Sequence, residues 1–495
     1  MDWGLRVIFQ TLKDILMNYF AKIAGMALLV VVASEIAAQT ANVAVRRLPL
    51  AEARPVIEAY SDVLPKDLSL EAASGANAWA RYVGRKETEL QGRLEQGDLD
   101  TLANLLLFGT SFTKEPVLTP ALLQRIAAGG EGANTENGGT GNAYQGRLRD
   151  LAIGIAYPKG NERLQYMRSL VEKKGFHFET ATDYNKLGAF LATNLTRMLG
   201  ENEQFADALE RAQEADPATE FRTRSQVFER RGISLDTSIF PNFALAEALK
   251  ALKDKGILRP GAVGRVAIVG PGLDTINKDV GFDYYPEQTL QPFAVADMLL
   301  QIGLSKESEL KITTLDISER VNSHIGVARK KAEGGAGYAL QLPIRSSTNW
   351  TAEALSYWEH FGRAVGTKAS ALAPPPMAGE AKTRAVKVRP AIVLRVRAKR
   401  LDVVYEKLVL AKRDQFDLIV GTNIFVYYNG FEQELAELNL AAMLQPEGIV
   451  LSNDALPTRQ PEAALREIGF STTVYSDREK DGDRIVWMQQ RILPR

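Results

Sequence analysis

Hydrophobic spacing divides the chain into two regions of different character. Between residues 50 and 255 the apolar positions recur three and four apart. Leu99, Leu102 and Leu106 stack on one helical face, as do Leu187, Phe190, Leu191, Leu195 and Leu199. The alanine-rich run Phe205–Ala215 and the stretch Phe243–Lys253, which follows Pro241-Asn242, are further predicted helices. No strong strand alternation interrupts this region, which is expected to be a helical domain. Gly129–Asn142 has almost no apolar content and is expected to be a flexible loop.

From about residue 256 the pattern changes. Val266–Val269 is a continuous apolar run ended by glycines, as a strand buried on both faces of a parallel sheet requires. Leu310–Leu315, Phe416–Val420 and Gly448–Ser452 are further strand candidates. Helical stretches lie between them at Gln288–Ile302, Glu319–Glu333 and Phe431–Leu444. This alternation predicts an open α/β sheet over residues 256–495. Thr472–Ser476 and Arg484–Gln489, joined by a polar turn, predict a closing hairpin. Residues 364–386, with three consecutive prolines, are expected to form a flexible insertion.

The N-terminus carries an 11-residue apolar run, Ile23–Ala33, preceded by Lys22 and followed by small residues. That is the order of a secretory signal, and the run is short against the ~20 residues of a membrane span. Residues 1–38 are therefore read as a signal-like or anchor segment. The expected location is exported or membrane-anchored, with membrane contact through residues 17–38. The alternative is a cytoplasmic protein whose N-terminus is an ordinary buried or amphipathic helix.

Composition narrows the chemistry. Sixty Lys plus Arg balance sixty Asp plus Glu over 495 residues, which argues against an extended nucleic-acid surface. Without cysteine there is no thiolate site or disulfide, and the three histidines, His177, His324 and His360, show no metal-binding spacing. No metal is expected.

Three stretches could carry a ligand. In Gly270-Pro271-Gly272 a buried strand ends in a turn where backbone can approach a nucleotide without an intervening Cβ. The dinucleotide fingerprint would place a third glycine at 275, which is Thr275. A phosphate-cradling loop with a following Lys is absent. Asp316, at the end of the next strand, can accept bonds from both ribose hydroxyls; the alternative is that Asp316 or Ser318 merely caps the helix starting at Glu319. It lies 44 residues beyond Gly272, and an insertion over Asp274–Glu287 accounts for the excess over the usual ~20. The third stretch, Phe416–Tyr428, places Thr422, Asn423, Tyr427 and Tyr428 at the carboxyl edge of a strand, where open α/β sheets bind ligands.

Together these stretches resemble the class I S-adenosylmethionine-dependent methyltransferases. The glycine turn resembles the family's first motif, Asp316 its ribose-binding acid, and Phe416–Val420 its fourth strand. Ala441–Ser452 resembles the following helix–turn–strand, and Leu465–Phe470 with the terminal hairpin resembles the closing helix and last strand. The resemblance implies a Rossmann-like seven-stranded sheet with an antiparallel last strand, preceded by a mainly helical domain. It implies S-adenosylmethionine as cofactor, held by Gly270, Pro271, Gly272, Asp274, Asp316, Asp402 and Asn423. It places a small-molecule or protein methyl acceptor, of unknown identity, near Tyr284, Tyr285, Tyr427 and Tyr428. Two positions depart from the family pattern. Ile268 stands where the first motif carries an acid, and Asp274 where it carries a third glycine. No residue is singled out as the catalytic one, although Asp283 is a further candidate. A nicotinamide oxidoreductase and a non-catalytic binding protein of the same fold are the competing readings.

Overall fold

A computed structural model of the chain describes residues 43–64, 68, 76–118, 140–212, 226–229, 231–237, 239–275, 283–345, 350–375, 382–460, 464–477 and 481–491. The chain divides into two compact units, Met1–Arg46 and Arg47–Arg495. Only residues 43–46 of the first are described, so the leader read at 1–38 lies outside them. Among the described residues no helix is long and apolar enough to cross a membrane. The helices and the seven-stranded sheet all belong to the second unit.

The helical region contains α1 (Leu50–Ala59), α2 (Ala76–Phe108), α3 (Thr140–Ala156), α4 (Glu162–Lys173) and α5 (Ala181–Ala212). The leucine spacing does what it predicts. Leu102, Leu106, Leu187 and Leu191 bury their faces in one apolar cluster with Leu151 and Met167. Asn161 caps α4 by accepting from the N–H groups of Arg163 and Leu164. Most of the loop expected at Gly129–Asn142 lies outside the described residues; its last three residues open α3.

The second region begins earlier than the change of pattern at 256. Helix α6 (Pro241–Asp254) packs on the α/β sheet, and its Phe243, Leu245 and Leu249 share one core with Val266 and Ile268. This helix is apolar around most of its circumference, so the sheet has to cover it.

Seven strands form that sheet: β1 (Arg265–Val269), β2 (Lys311–Asp316), β6 (Val396–Arg400), β7 (Phe416–Gly421), β8 (Leu444–Ser452), β9 (Leu465–Val474) and β10 (Gly482–Gln490). Their spatial order is β9-β10-β8-β7-β1-β2-β6. The pairs β1–β2, β1–β7, β2–β6 and β7–β8 are parallel. β10 runs antiparallel to both neighbours, with Leu451 opposite Trp487 on one side and Phe470 opposite Val486 on the other. Helices α7 (Gln291–Gln301), α8 (Glu319–Glu333) and α10 (Gly430–Met443) connect the parallel strands. A capping box closes the start of α10: the Asn429 side chain accepts from Glu432 N–H, and Glu432 bonds back to Asn429 N–H.

Two expectations are corrected. Leu465–Phe470, likened to a closing helix, is the first half of β9, because pairing along β10 satisfies its backbone and buries Leu465. The stretch 364–386, expected as a flexible insertion, contributes β4 (Gly366–Ala369) and most of β5 (Lys382–Val388). With β3 (Tyr338–Arg345) these make a three-stranded antiparallel sheet, β5 in the middle. Burial of Leu340, Leu342, Val386 and Val388 drives it, packed beside helix α9 (Ala352–His360). Only residues 376–381 of the stretch lie outside the described residues.

Candidate functional site

In the sheet, β1 lies between β2 and β7, and the chain leaves those two strands in opposite directions. This is the topological switch point, where the carboxyl ends of parallel strands open a crevice. Val266, Ala267 and Ile268 are fully buried, so β1 is a rigid base for the turn at its end. That turn needs glycine twice. Gly270 and Gly272 have φ of +61° and +62°, a region L side chains rarely adopt. A Cβ on Gly270 would also meet Ile424 Cδ1 at 2.2 Å, and one on Gly272 would meet the carbonyl oxygen of Leu235 at 2.8 Å.

The segment Ile233–Thr237 crosses the turn. Leu273 N–H donates to Leu235 O at 2.8 Å, and Thr237 N–H donates to Leu273 O at 3.0 Å. This strap walls a narrow slot, partly open to solvent, whose other walls include Gly270, Gly272, Asp316, Ile317, Tyr427 and Tyr428. Leu401 and Val403, at the end of β6, add an apolar side, and Ile424 narrows the slot beside Gly270.

Asp316 ends β2 and is 4% exposed. Its carboxylate accepts the N–H of Ser318 at 2.8 Å and also bonds the N–H of Gly272. Burial is the larger influence and pushes its pKa up to about 7, and no cation among the described residues offsets it. The result is a carboxylate beside the glycine turn that still has capacity to accept hydrogen bonds. Ser318 caps α8, so the capping role weighed for this stretch belongs to Ser318 rather than to Asp316.

Asp402 follows β6 and is equally buried, 4% exposed. Its flanking residues Leu401 and Val403 face the first cavity, whereas Asp402 itself lines a second, polar cavity. Burial raises its pKa to about 7, the neighbouring Glu406 and Glu432 add to this, and the N–H of Val404 and the charge of Arg400 oppose it. Tyr428 lines both cavities.

The other residues read from the sequence sit elsewhere. Asp274 is buried in an internal network, accepting from Tyr285 Oη at 3.0 Å and Gln288 Nε2 at 2.8 Å, and burial lifts its pKa to about 6. Neither it nor Pro271 lines either cavity. Asn423 is exposed with φ +59°, its N–H bonded to Asn453 Oδ1 at 2.7 Å. Tyr284 reaches Thr383 Oγ1 at 3.3 Å, away from the slot. Asp283 is an anchor: its carboxylate accepts the N–H and hydroxyl of both Thr110 and Ser111. Tyr427 and Tyr428 do reach the slot, and the Ser234 N–H bonds the Tyr427 hydroxyl. Burial raises both phenols, so they stay neutral near pH 7 and act as walls and donors rather than bases.

Sequence reasoning missed the strap and the buried Arg163. Arg163 Nε donates to Thr275 O at 2.5 Å and Nη1 to Tyr285 O at 2.6 Å, fastening α4 to the loop beyond the glycine turn. Arg163 carries no sequence signal, since its partners are backbone carbonyls more than a hundred residues away.

Seven strands in this order, one of them antiparallel, with a glycine turn and an acid at the two central carboxyl ends, settle the architecture. The fold is that of a class I methyltransferase. No family model and no curated protein matches the chain in sequence. Among solved structures, it is similar to the N-methyltransferase NodS of Bradyrhizobium japonicum WM9, in complex with S-adenosyl-L-homocysteine. The identity is 14%, the coverage 54% of this chain and 98% of that one, and the TM-score 0.26. It is also similar to magnesium protoporphyrin IX methyltransferase of Synechocystis PCC 6803 with bound SAM, at 13% identity, over 51% and 78% of the chains, with a TM-score of 0.24. TrmN of Thermus thermophilus matches at 14% identity and a TM-score of 0.23 over 51% of this chain, which spans about half (52%) of TrmN. Likenesses this low say nothing of activity, so the functional reading rests on the geometry of the site.

Proposed function

We propose that this chain binds S-adenosylmethionine in the slot at the β1–β2 carboxyl ends and transfers its methyl group to a small-molecule or protein acceptor. The observation that carries the reading is Asp316: a buried carboxylate without a cationic neighbour, set against a two-glycine turn at the switch point of the sheet. A ribose diol supplies the donors such a group lacks.

The residues present fit the nucleoside part of that cofactor. The left-handed glycines turn the backbone at the slot, where the Ile424 side chain and the strap lie against them and have to give way to a nucleoside, and Ile317, Leu401 and Val403 offer apolar surface to a base. When bound, the sulfonium supplies an activated methyl group. The protein's share is to hold and shield. Asp316 in its ionised form grips the sugar, the Ile233–Thr237 strap covers the turn, and Tyr427 and Tyr428 exclude water from one end. The test is calorimetric titration with S-adenosylmethionine on wild type and Asp316→Ala, with loss of binding expected in the variant.

A second reading has one observation in its favour. Ile424 packs against the bare face of Gly270 at a distance that a Cβ would not tolerate. A non-catalytic domain that keeps the turn only for this packing would bind neither S-adenosylmethionine nor NADH in the same titration.

A further inference from the structure

The two outer strands of the seven-stranded sheet are finished differently. At one edge β6 carries Arg397, Lys399 and Arg400, and Arg329 of α8 donates from Nη1 to the carbonyl oxygens of Leu394 and Val396, both at 2.6 Å. Charged side chains and covered carbonyls keep a sheet edge from pairing with another chain. At the other edge, β9 is blunted only at its ends. Its register shifts between Glu467 and Gly469. Past Val474, the Thr351 N–H donates to Tyr475 O at 3.0 Å and Trp350 bridges Ser476. The stretch between, Phe470-Ser-Thr-Thr-Val474, has no charge, no proline and no bulge. Phe470 is 52% exposed and Val474 38%.

The pairing with β10 fixes which backbone groups face out. Tyr475 N–H donates to Asp481 O at 3.0 Å, and bonding alternates along an antiparallel pair, so Ser471 and Thr473 turn their N–H and C=O groups to β10. Phe470, Thr472 and Val474 turn theirs outward, where no described strand meets them. Their side chains share one exposed face, while Thr473 is buried on the other. This outward set is symmetric about Thr472, with an apolar residue two positions to either side.

We propose that this edge joins two copies of the chain, paired antiparallel about a two-fold axis at Thr472. A two-fold interface has to be self-complementary, and this one is. Thr472 lies opposite Thr472 of the partner subunit. Phe470 lies opposite Val474 of the partner subunit and Val474 opposite Phe470 of the partner subunit, aromatic on β-branched, a favourable cross-strand pair. The outward N–H and carbonyl groups find their partners, and no like charges meet within the stretch. The inference does not depend on S-adenosylmethionine binding, since β10, β8 and β7 separate β9 from the strand that carries the glycine turn.

Sedimentation of the full chain across the micromolar range is expected to show a dimer. Val474→Lys sets an ammonium group against Phe470 of the partner subunit. It is expected to weaken the dimer about tenfold or more while leaving the melting of the monomer unchanged. Thr472→Cys supplies the one cysteine of the chain. In this register it faces its own copy with Cα atoms about 5.5 Å apart, a span that a disulfide bridges, so mild oxidation is expected to give a covalent dimer. Val474→Cys, whose two copies are offset along the strand, is expected to stay uncrosslinked. The proposal is overturned if wild type is monomeric throughout that range, or if Val474→Lys dimerises as tightly as wild type. It is equally overturned if Thr472→Cys gives no covalent dimer, or if Val474→Cys crosslinks as readily.

Discussion

Leu401 donates its backbone N–H to the carbonyl oxygen of Asp316 at 3.1 Å, so the ends of β2 and β6 are stitched together and the buried acids Asp316 and Asp402 sit on adjacent strand ends. Burial pushes both carboxyls from 3.8 to about 7. The charged form is the one the fold disfavours, so the native state holds these protons after the unfolded chain has released them. Stability from this source is full below about pH 4 and is lost as pH rises through about 7. Asp316→Asn removes the burden without changing size. Its Tm is expected to exceed wild type by a few degrees at pH 8 and to match it at pH 4.5. Equal differences at both pH values would show that Asp316 is not buried as a raised carboxyl.

Gly270 is held by two constraints at once, its φ of +61° and the Ile424 side chain. Gly270→Ala is expected to cost about 1–3 kcal/mol in urea denaturation, from backbone strain and displacement of Ile424. Ile424→Ala should open the slot and raise S-adenosylmethionine affinity. If Ile424→Ala instead lowers affinity, that side chain is part of the binding wall rather than an obstruction.

Asp283 is 1% exposed and collects four donors from Thr110 and Ser111. Asp283→Ala removes the acceptor shared by buried Thr110 and exposed Ser111, at an expected cost of about 1–3 kcal/mol. Folded variant should bind S-adenosylmethionine as wild type does, since Asp283 lines neither cavity. Denaturation and titration of the same sample separate the two effects; a variant of full stability that fails to bind would return Asp283 to the site.

Much of the fold was legible in the sequence, and for a common reason. Val266–Val269 is apolar on both faces, a pattern a covered parallel strand requires, Leu310–Leu315 and Phe416–Val420 are short apolar-rich runs, and each became a strand within a residue or two. Asp316 and the glycines were readable because strand ends and left-handed turns demand particular residue types. Leu465–Phe470 was not readable, since six residues with Leu, Ile and Phe suit a helix or a strand and the pairing with β10 decides. The strap Ile233–Thr237 has no periodicity; its place is set by two backbone hydrogen bonds to Leu273. Asn423 and Asp274 were placed by analogy of position, and the local turn sends one to solvent and the other into the Tyr285–Gln288 network.

The central claim is that Asp316 grips the sugar of S-adenosylmethionine beside the Gly270–Gly272 turn. Calorimetric titration of wild type and Asp316→Ala with S-adenosylmethionine and with NADH tests it most directly. Saturable binding of S-adenosylmethionine alone is predicted, lost or weakened about tenfold or more in the variant. Binding of NADH, binding of neither ligand by wild type, or an unaltered affinity in Asp316→Ala would contradict it.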